Sequence, residues 1–240
     1  MTATQTPPVA QDPFRGSAAD DWASLMEPSE RGFFAAVLAS GLFTPGTRVL
    51  DAGSGGLLAE RIAARGCEVV DLDSVPLPDE YVGIVIGINT FQYAASPRRA
   101  LAEARRVTRR GGHVILGTWG PSYACEAATS LFALKPLLPS LAPHPSDPFA
   151  LSEEAVLKNL VASADLTWLS MTDVDVTWQF DDTASALTAM LSAGPSILAI
   201  QASGRDPVAA ALERAISPYR LANGGYRLEN RFRFVIATRD

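Results

Sequence analysis

The stretch Thr47 to Glu60, TRVLDAGSGGLLAE, leaves this chain few ways to fold. Val49 and Leu50 end a short apolar strand, Asp51 closes it, Gly53, Gly55 and Gly56 make a tight turn, and a helix begins at Leu57. The turn needs glycines because a backbone without Cβ takes positive φ and lets a ligand come close. The free N–H groups of the following helix attract polar or anionic groups. This turn is therefore the first candidate for a cofactor cradle. A dinucleotide fingerprint fits it badly, because after Gly53 and Gly55 its third glycine would fall at Leu58.

The run Val49-Leu50-Asp51-Ala52-Gly53-Ser54-Gly55-Gly56 is similar to the first motif, hhDxGxGxG, of the class I S-adenosylmethionine (SAM) dependent methyltransferases. The likeness is to their small-molecule type 11 branch, with one residue missing between Gly55 and Gly56. Three later stretches resemble the same family: Val75 to Ala94, Arg99 to Trp119 and Gly224 to Ala237 match its fourth strand, its next helix with the fifth strand, and its closing strand. The resemblance covers nearly the whole chain from about Trp22. It implies an α/β fold, a Rossmann-like doubly wound and mainly parallel sheet with a helical lid. It also implies that Asp51, Gly53, Gly55 and Gly56 lie against SAM, with Asp71 or Asp73 on its ribose, and that N-terminal helices cover the pocket, making Trp22 a wall residue.

Asp71 follows Asp51 by 20 residues and Asp73 lies two further on. A carboxylate at that distance, at the end of a second strand, is where nucleotide folds hold ribose hydroxyls, since it accepts two hydroxyl hydrogen bonds at once. The chain then departs from the family. It passes from Asp73-Ser74 straight into Val75-Pro76-Leu77-Pro78, where a usual member has a further helix and strand. The sheet is therefore expected to be one strand and one helix short. Both deletions fall in the cofactor half and count against SAM binding.

Gly83 to Ile88 is a continuous apolar run, as in a buried parallel strand, and it delivers Asn89, Thr90, Phe91, Gln92 and Tyr93 to its carboxyl end. Ligands of open α/β sheets bind at that end. Asn89 and Gln92 donate and accept hydrogen bonds and Tyr93 is a weak acid, so Tyr93 and Asn89 are the catalytic candidates and Gln92 a substrate contact. Ser96-Pro97 opens a helix closed by Gly111-Gly112, and His113 to Thr118 is the next strand. Trp119, past that strand's ligand end, is a substrate candidate, whereas His113 starts the strand at the opposite edge. His144 stands in a proline-rich insertion, about Tyr123 to Phe149, that reads as a lid and makes it a candidate acid or base.

Two helices are expected before the glycine turn, Asp20 to Glu27 and Ser29 to Ser40 with Ser29 as its cap. Beyond the lid, Ser152 is expected to cap a helix to about Ala164, Leu166 to Trp178 to form a strand, Asp182 to Ala193 and about Asp206 to Ile216 helices, and Tyr226 to Thr238 the last strand. Residues 1 to about 19, with Pro7, Pro8, Pro13 and Gly16, read as a mobile tail before one domain spanning 20–240.

A chain of 240 residues, 48% hydrophobic and 19% charged, is long enough for one sizeable α/β core. Its formal charge of −6 argues against a nucleic-acid partner. The arginines at 98, 99, 105, 106, 109 and 110 spread over a solvated helix face. Cys67 and Cys125 stand far apart, with neither disulfide nor metal spacing, which fits a reducing cytoplasm. No export signal or run of about 18 apolar residues is present, so no membrane partner is expected and no metal is called for.

Two enzymatic readings remain. In one, a small-molecule enzyme keeps the substrate pocket of the fold and uses it, without methyl transfer, for a cofactor-independent step such as cyclisation or isomerisation. In the other, a SAM-dependent methyltransferase acts on a small, partly hydrophobic metabolite. A homodimer, or a non-catalytic partner of a related enzyme, is the remaining expectation.

Overall fold

The computed structural model describes residues 19–70, 76–139 and 147–240. The expected tail, Asp71, Asp73 and His144 lie outside the described residues, as does part of the lid. Among the described residues six strands form one sheet in the order β2-β1-β3-β4-β6-β5. They are β1 (Arg48–Asp51), β2 (Glu68–Val70), β3 (Val82–Ile88), β4 (Thr108–Trp119), β5 (Thr167–Phe180) and β6 (Tyr226–Thr238). Strands β2, β1, β3 and β4 run parallel, and β6 and β5 close the sheet antiparallel.

All seven residues of β3 are buried, so the strand needs cover on both faces. Alternation supplies it. Ile84, Ile86 and Ile88 pack with Phe33, Phe34, Leu58 and Phe232 on one side. Val85 packs with Leu101, Val107, Leu157 and Val235 on the other, and Val82 joins that face because the register shifts between it and Ile84. The first face is covered by α2 (Arg31–Leu38) and α3 (Gly56–Ala63), the second by α4 (Pro97–Val107) and α6 (Glu154–Ser163). A cap of α5 (Ala128–Leu134), α7 (Thr183–Leu191), α8 (Gly194–Ser203) and α9 (Arg205–Ile216) continues the first layer.

Strand β2, Glu68–Val70, pairs parallel with the glycine strand β1, which makes it the second strand of a doubly wound order. Among the described residues no strand lies outside it, and β2 is the sheet edge.

Four local expectations are corrected. The N-terminal segment is not two capped helices. A short α1 (Ala19–Asp21) leads into a π-helical turn, Trp22–Met26, then a 3-10 turn, Glu27–Glu30, before α2. Pro28 lacks an N–H and tightens the path there, so Glu30 rather than Ser29 precedes α2, without a side-chain cap. Gly111-Gly112 does not close the Arg-bearing helix: α4 ends at Val107, and the glycines lie inside β4 beside a shift of register against β3. Ser152 does not cap α6. Its carbonyl instead accepts from buried Arg233, whose guanidinium also forks onto Asp173 at 3.0 Å through both nitrogen–oxygen pairs. The break at Ala193 is followed by a helix the sequence reading left out, α8, turned 85° from α7.

Ser96 and Asp182 do cap their helices, accepting from Arg99 N and Ser185 N. The arginine cluster is mostly exposed, as expected, with Arg106 tied to Glu103 and Asp79. Both cysteines are buried and free.

Phe232 joins the sheet to its cover, 5.6 Å from the Phe33 ring and stacked 4.4 Å from Trp119. Phe232→Ala is expected to lower stability by about 3–5 kcal/mol in urea unfolding, against well under about 1 kcal/mol for Leu169→Ala at a half-exposed position of β5.

Candidate functional site

Parallel strands bring the carboxyl ends of β1, β3 and β4 to one level, and three hydrogen bonds lock the glycine turn to the loop after β3. Ala52 N donates to Ile86 O at 2.7 Å, Ile88 N to Ser54 Oγ at 3.1 Å, and Thr90 Oγ1 to Ala52 O at 2.7 Å. The turn itself is held by Ser54 N donating to Asp51 Oδ1 at 2.8 Å. Gly53 and Gly55 take φ of 94° and 104°, the conformation for which the glycines were needed.

The cradle above the turn is filled by the chain's own Glu27. Leu57 N donates to Glu27 Oε1 at 3.0 Å, so the carboxylate rests on the start of α3. A Cβ built on Gly55 would lie 1.9 Å from that same oxygen. The shortened turn leaves α3 without a side-chain cap of its own, and Glu27 reaches over from the preceding segment to supply one.

Two further carboxyls are buried nearby. Burial, with repulsion from Glu27, pushes Glu30 up to about 8, and its Oε1 has no hydrogen-bond partner. Burial raises Asp51 to about 6; bonds from Ser54 and Gly53 oppose the shift and Glu27 adds to it. Glu27 is itself raised by burial, which the Leu57 bond opposes and Glu60 reinforces. Sequence reasoning missed Glu27 and Glu30. Their signal was an acidic pair, three residues apart, between Met26 and the buried pair Phe33-Phe34.

The second part of the site is a polar network at the ends of β3 and β4. Thr118 Oγ1 donates to Gln92 Oε1, and Gln92 Nε2 donates to Asn89 Oδ1 at 3.2 Å. Burial raises the Tyr93 phenol, while side-chain hydrogen bonds from Trp119 and Gln92 lower it. Asn89, Gln92, Tyr93 and Trp119 therefore come together as the sequence suggests. Thr118 was missed because a threonine inside a strand carries no local signal. Trp22 is half-buried against the main core; His113 does not start its strand but lies in the middle of β4, paired with Thr238 and six residues before Trp119.

Trp119 is also the centre of an aromatic wall, with ring centroids 5.6 Å from Trp178 and 5.8 Å from Phe149. Behind Trp178 the cap encloses a small apolar cavity of about 30 Å³, bounded by Met26, Leu131, Leu134, Met190 and Leu212.

A methyltransferase domain family matches residues 57–116. Loganic acid methyltransferase, solved with S-adenosylhomocysteine, superposes with a TM-score of 0.56 at 8% identity, over 92% of this chain and 95% of that one. The fold is that of the class I methyltransferases. A candidate methyltransferase from Bacillus halodurans gives a TM-score of 0.53 at 14% identity, covering 85% of this chain and 97% of that one. Among curated proteins, an uncharacterized 37.1 kDa protein in transposon TN4556 of Streptomyces fradiae is 38% identical over 58 residues, 24% of this chain. The match spans only 17% of that protein's length. The methyltransferase fold is thus present with, among the described residues, no strand outside β2. Among the described residues no group of acidic, histidine or cysteine side chains is placed to hold a metal, and no single helix is long and apolar enough to cross a membrane.

The buried acids set a pH dependence. A carboxyl raised in the folded state stabilises the fold while protonated; that contribution is complete below its unfolded pKa and lost as pH rises through the folded one. For Glu30 the window runs from 4.5 to about 8, and for Asp51 from 3.8 to about 6. Stability in urea is expected to fall by a few kcal/mol, in order of magnitude, between roughly pH 5 and pH 8. Glu30→Gln should remove most of the slope above about pH 6. An equal slope in the variant would contradict the assignment.

Proposed function

We propose that this protein is a small-molecule enzyme that uses the methyltransferase fold without SAM, for a step such as cyclisation or isomerisation of a partly hydrophobic metabolite. The observation that carries this reading is Glu27 in the glycine cradle. The methionyl carboxylate of SAM would need the N–H groups at the start of α3. Leu57 N–H is already bonded, and the space over Gly55 holds a carboxylate oxygen of the same charge. The residues present do not fit the carboxylate end of that cofactor, and no step is derived through it.

The remaining site suits chemistry within one molecule. Asn89, Gln92 and Tyr93 form a fixed polar edge, and Trp119, Phe149 and Trp178 an apolar wall beside it. A flexible substrate held bent between them loses its conformational freedom on binding rather than at the transition state. Polar groups already fixed by neighbours stabilise developing charge without reorganising. Ring closure and isomerisation keep every substrate atom in the product, so no second substrate has to be held. The reaction belongs to small-molecule, secondary metabolism on this reading, since the apolar wall suits a small lipophilic ligand.

One observation favours methyl transfer from SAM instead. Glu27, Glu30 and Asp51 are three buried carboxyls, Glu30 with an unpartnered oxygen, and SAM brings an ammonium and a sulfonium cation. If Glu27 swung off Leu57, those charges would meet the acids.

Calorimetric titration separates the two readings. The proposed enzyme gives no saturable heat with SAM or S-adenosylhomocysteine up to millimolar ligand, and carries neither through purification by mass spectrometry. Micromolar affinity, about −8 kcal/mol, would overturn the reading in favour of a methyltransferase.

A further inference from the structure

The hydrogen bonds around Gln92 fix the polarity of the site. Its Oε1 accepts from Thr118 Oγ1, and its Nε2 donates to Asn89 Oδ1 and supports Tyr93. Thr118 and Gln92 are almost fully buried, at 2% and 3% exposure, so neither side chain reorients freely. With its oxygen committed to Gln92, Asn89 has its Nδ2 amide hydrogens left over, and among the described residues no acceptor meets them. Asn89 is only half-buried and stands at the ligand end of β3, its backbone N–H bonded to Gly117 O at 2.9 Å.

The backbone points the same way. Asn89 has a φ of 54°, one of three non-glycine residues in the left-handed region among those described. Asparagine tolerates that conformation better than most residues but still at a cost, and such strain gathers at functional positions. Glycine would relieve it, so the amide is kept against a local preference.

We propose that Asn89 Nδ2 is a pre-set hydrogen-bond donor for a carbonyl oxygen of the substrate, with Gln92 and Thr118 as positioning residues that lock its orientation. The substrate class that follows is a ketone, ester or lactone set in an apolar frame, its oxygen on Asn89 and its hydrocarbon against Trp119. A donor aimed at a carbonyl draws electron density toward the oxygen and makes the conjugated carbons more electrophilic. That assists a ring closure in which every substrate atom is kept and no proton has to be transferred. The inference rests on the reading of the strand ends as the substrate site.

The test uses acetophenone and ethylbenzene, alike in shape with only the first carrying a carbonyl, in proton–nitrogen correlation spectra of the full chain. Acetophenone should shift the Asn89 side-chain amide pair saturably, and ethylbenzene should not. Asn89→Asp keeps the oxygen that Gln92 bonds and removes the donor, and it should weaken acetophenone roughly tenfold. Asn89→Gly, suited to the positive φ and therefore expected to fold, should do the same. Thr118→Val should weaken acetophenone severalfold and Thr118→Ser restore it. Equal binding of the two probes, acetophenone binding unchanged in both Asn89 variants, or no acetophenone binding up to its solubility would each overturn the proposal. The SAM titration bears on the reaction instead: Asn89-dependent ketone binding stands even if SAM binds, and its loss leaves that titration's result unchanged.

Discussion

One contact, the Glu27 carboxylate on the Leu57 N–H, decides what the glycine turn is free to hold. A helix start carries unpaired N–H groups and partial positive charge, and it takes an anion from whatever source is nearest. Here the nearest source is covalently attached and thirty residues upstream. The same contact ties the 3-10 turn to the start of α3, with Glu30 close enough to feel the Glu27 charge. The closed cradle follows from this contact, and the Glu27 charge placed there adds to the burial that raises Glu30 and Asp51.

Below that contact the sheet does the positioning. The all-buried β3 fixes the level of both its neighbours, and the bonds from Ile88, Thr90 and Ala52 make the glycine turn and the Asn89 loop one rigid unit. Gly117 lets β4 close in on Ile88, since a Cβ there would lie 2.6 Å from that side chain. This close approach sets Thr118 within reach of Gln92. The polar network thus depends on backbone packing one layer beneath it, in the half of the sheet away from the β2 edge.

The parts of the fold legible in the sequence are those with a local signal. The apolar run at β3, the alternation that opens the strand Tyr226–Thr238 and the glycines of the turn each state their own conformation, and each is found where expected. The site residues after β3 were legible because topology alone sends a strand's carboxyl end to the ligand face. Other features rest on contacts distant in sequence. Arg233 alternates onto an apparently polar face yet is buried, because Asp173 comes from a strand sixty residues away. Ser152 looks like a helix cap but its carbonyl serves Arg233, and Glu27 looks like an ordinary helix acid until Leu57 is brought beneath it. No reading of neighbours along the chain reaches those partners.

Amide hydrogen exchange at Leu57 tests the central contact most directly, measured in the unmodified chain, in Glu27→Gln and in Glu27→Ala. The account predicts slow exchange in the first, slow or slightly faster exchange in Glu27→Gln, which keeps an acceptor oxygen, and fast exchange confined to the start of α3 in Glu27→Ala. A Leu57 amide that exchanges as fast in the unmodified chain as in Glu27→Ala would mean the cradle stands open, and the account of a self-occupied site would be wrong.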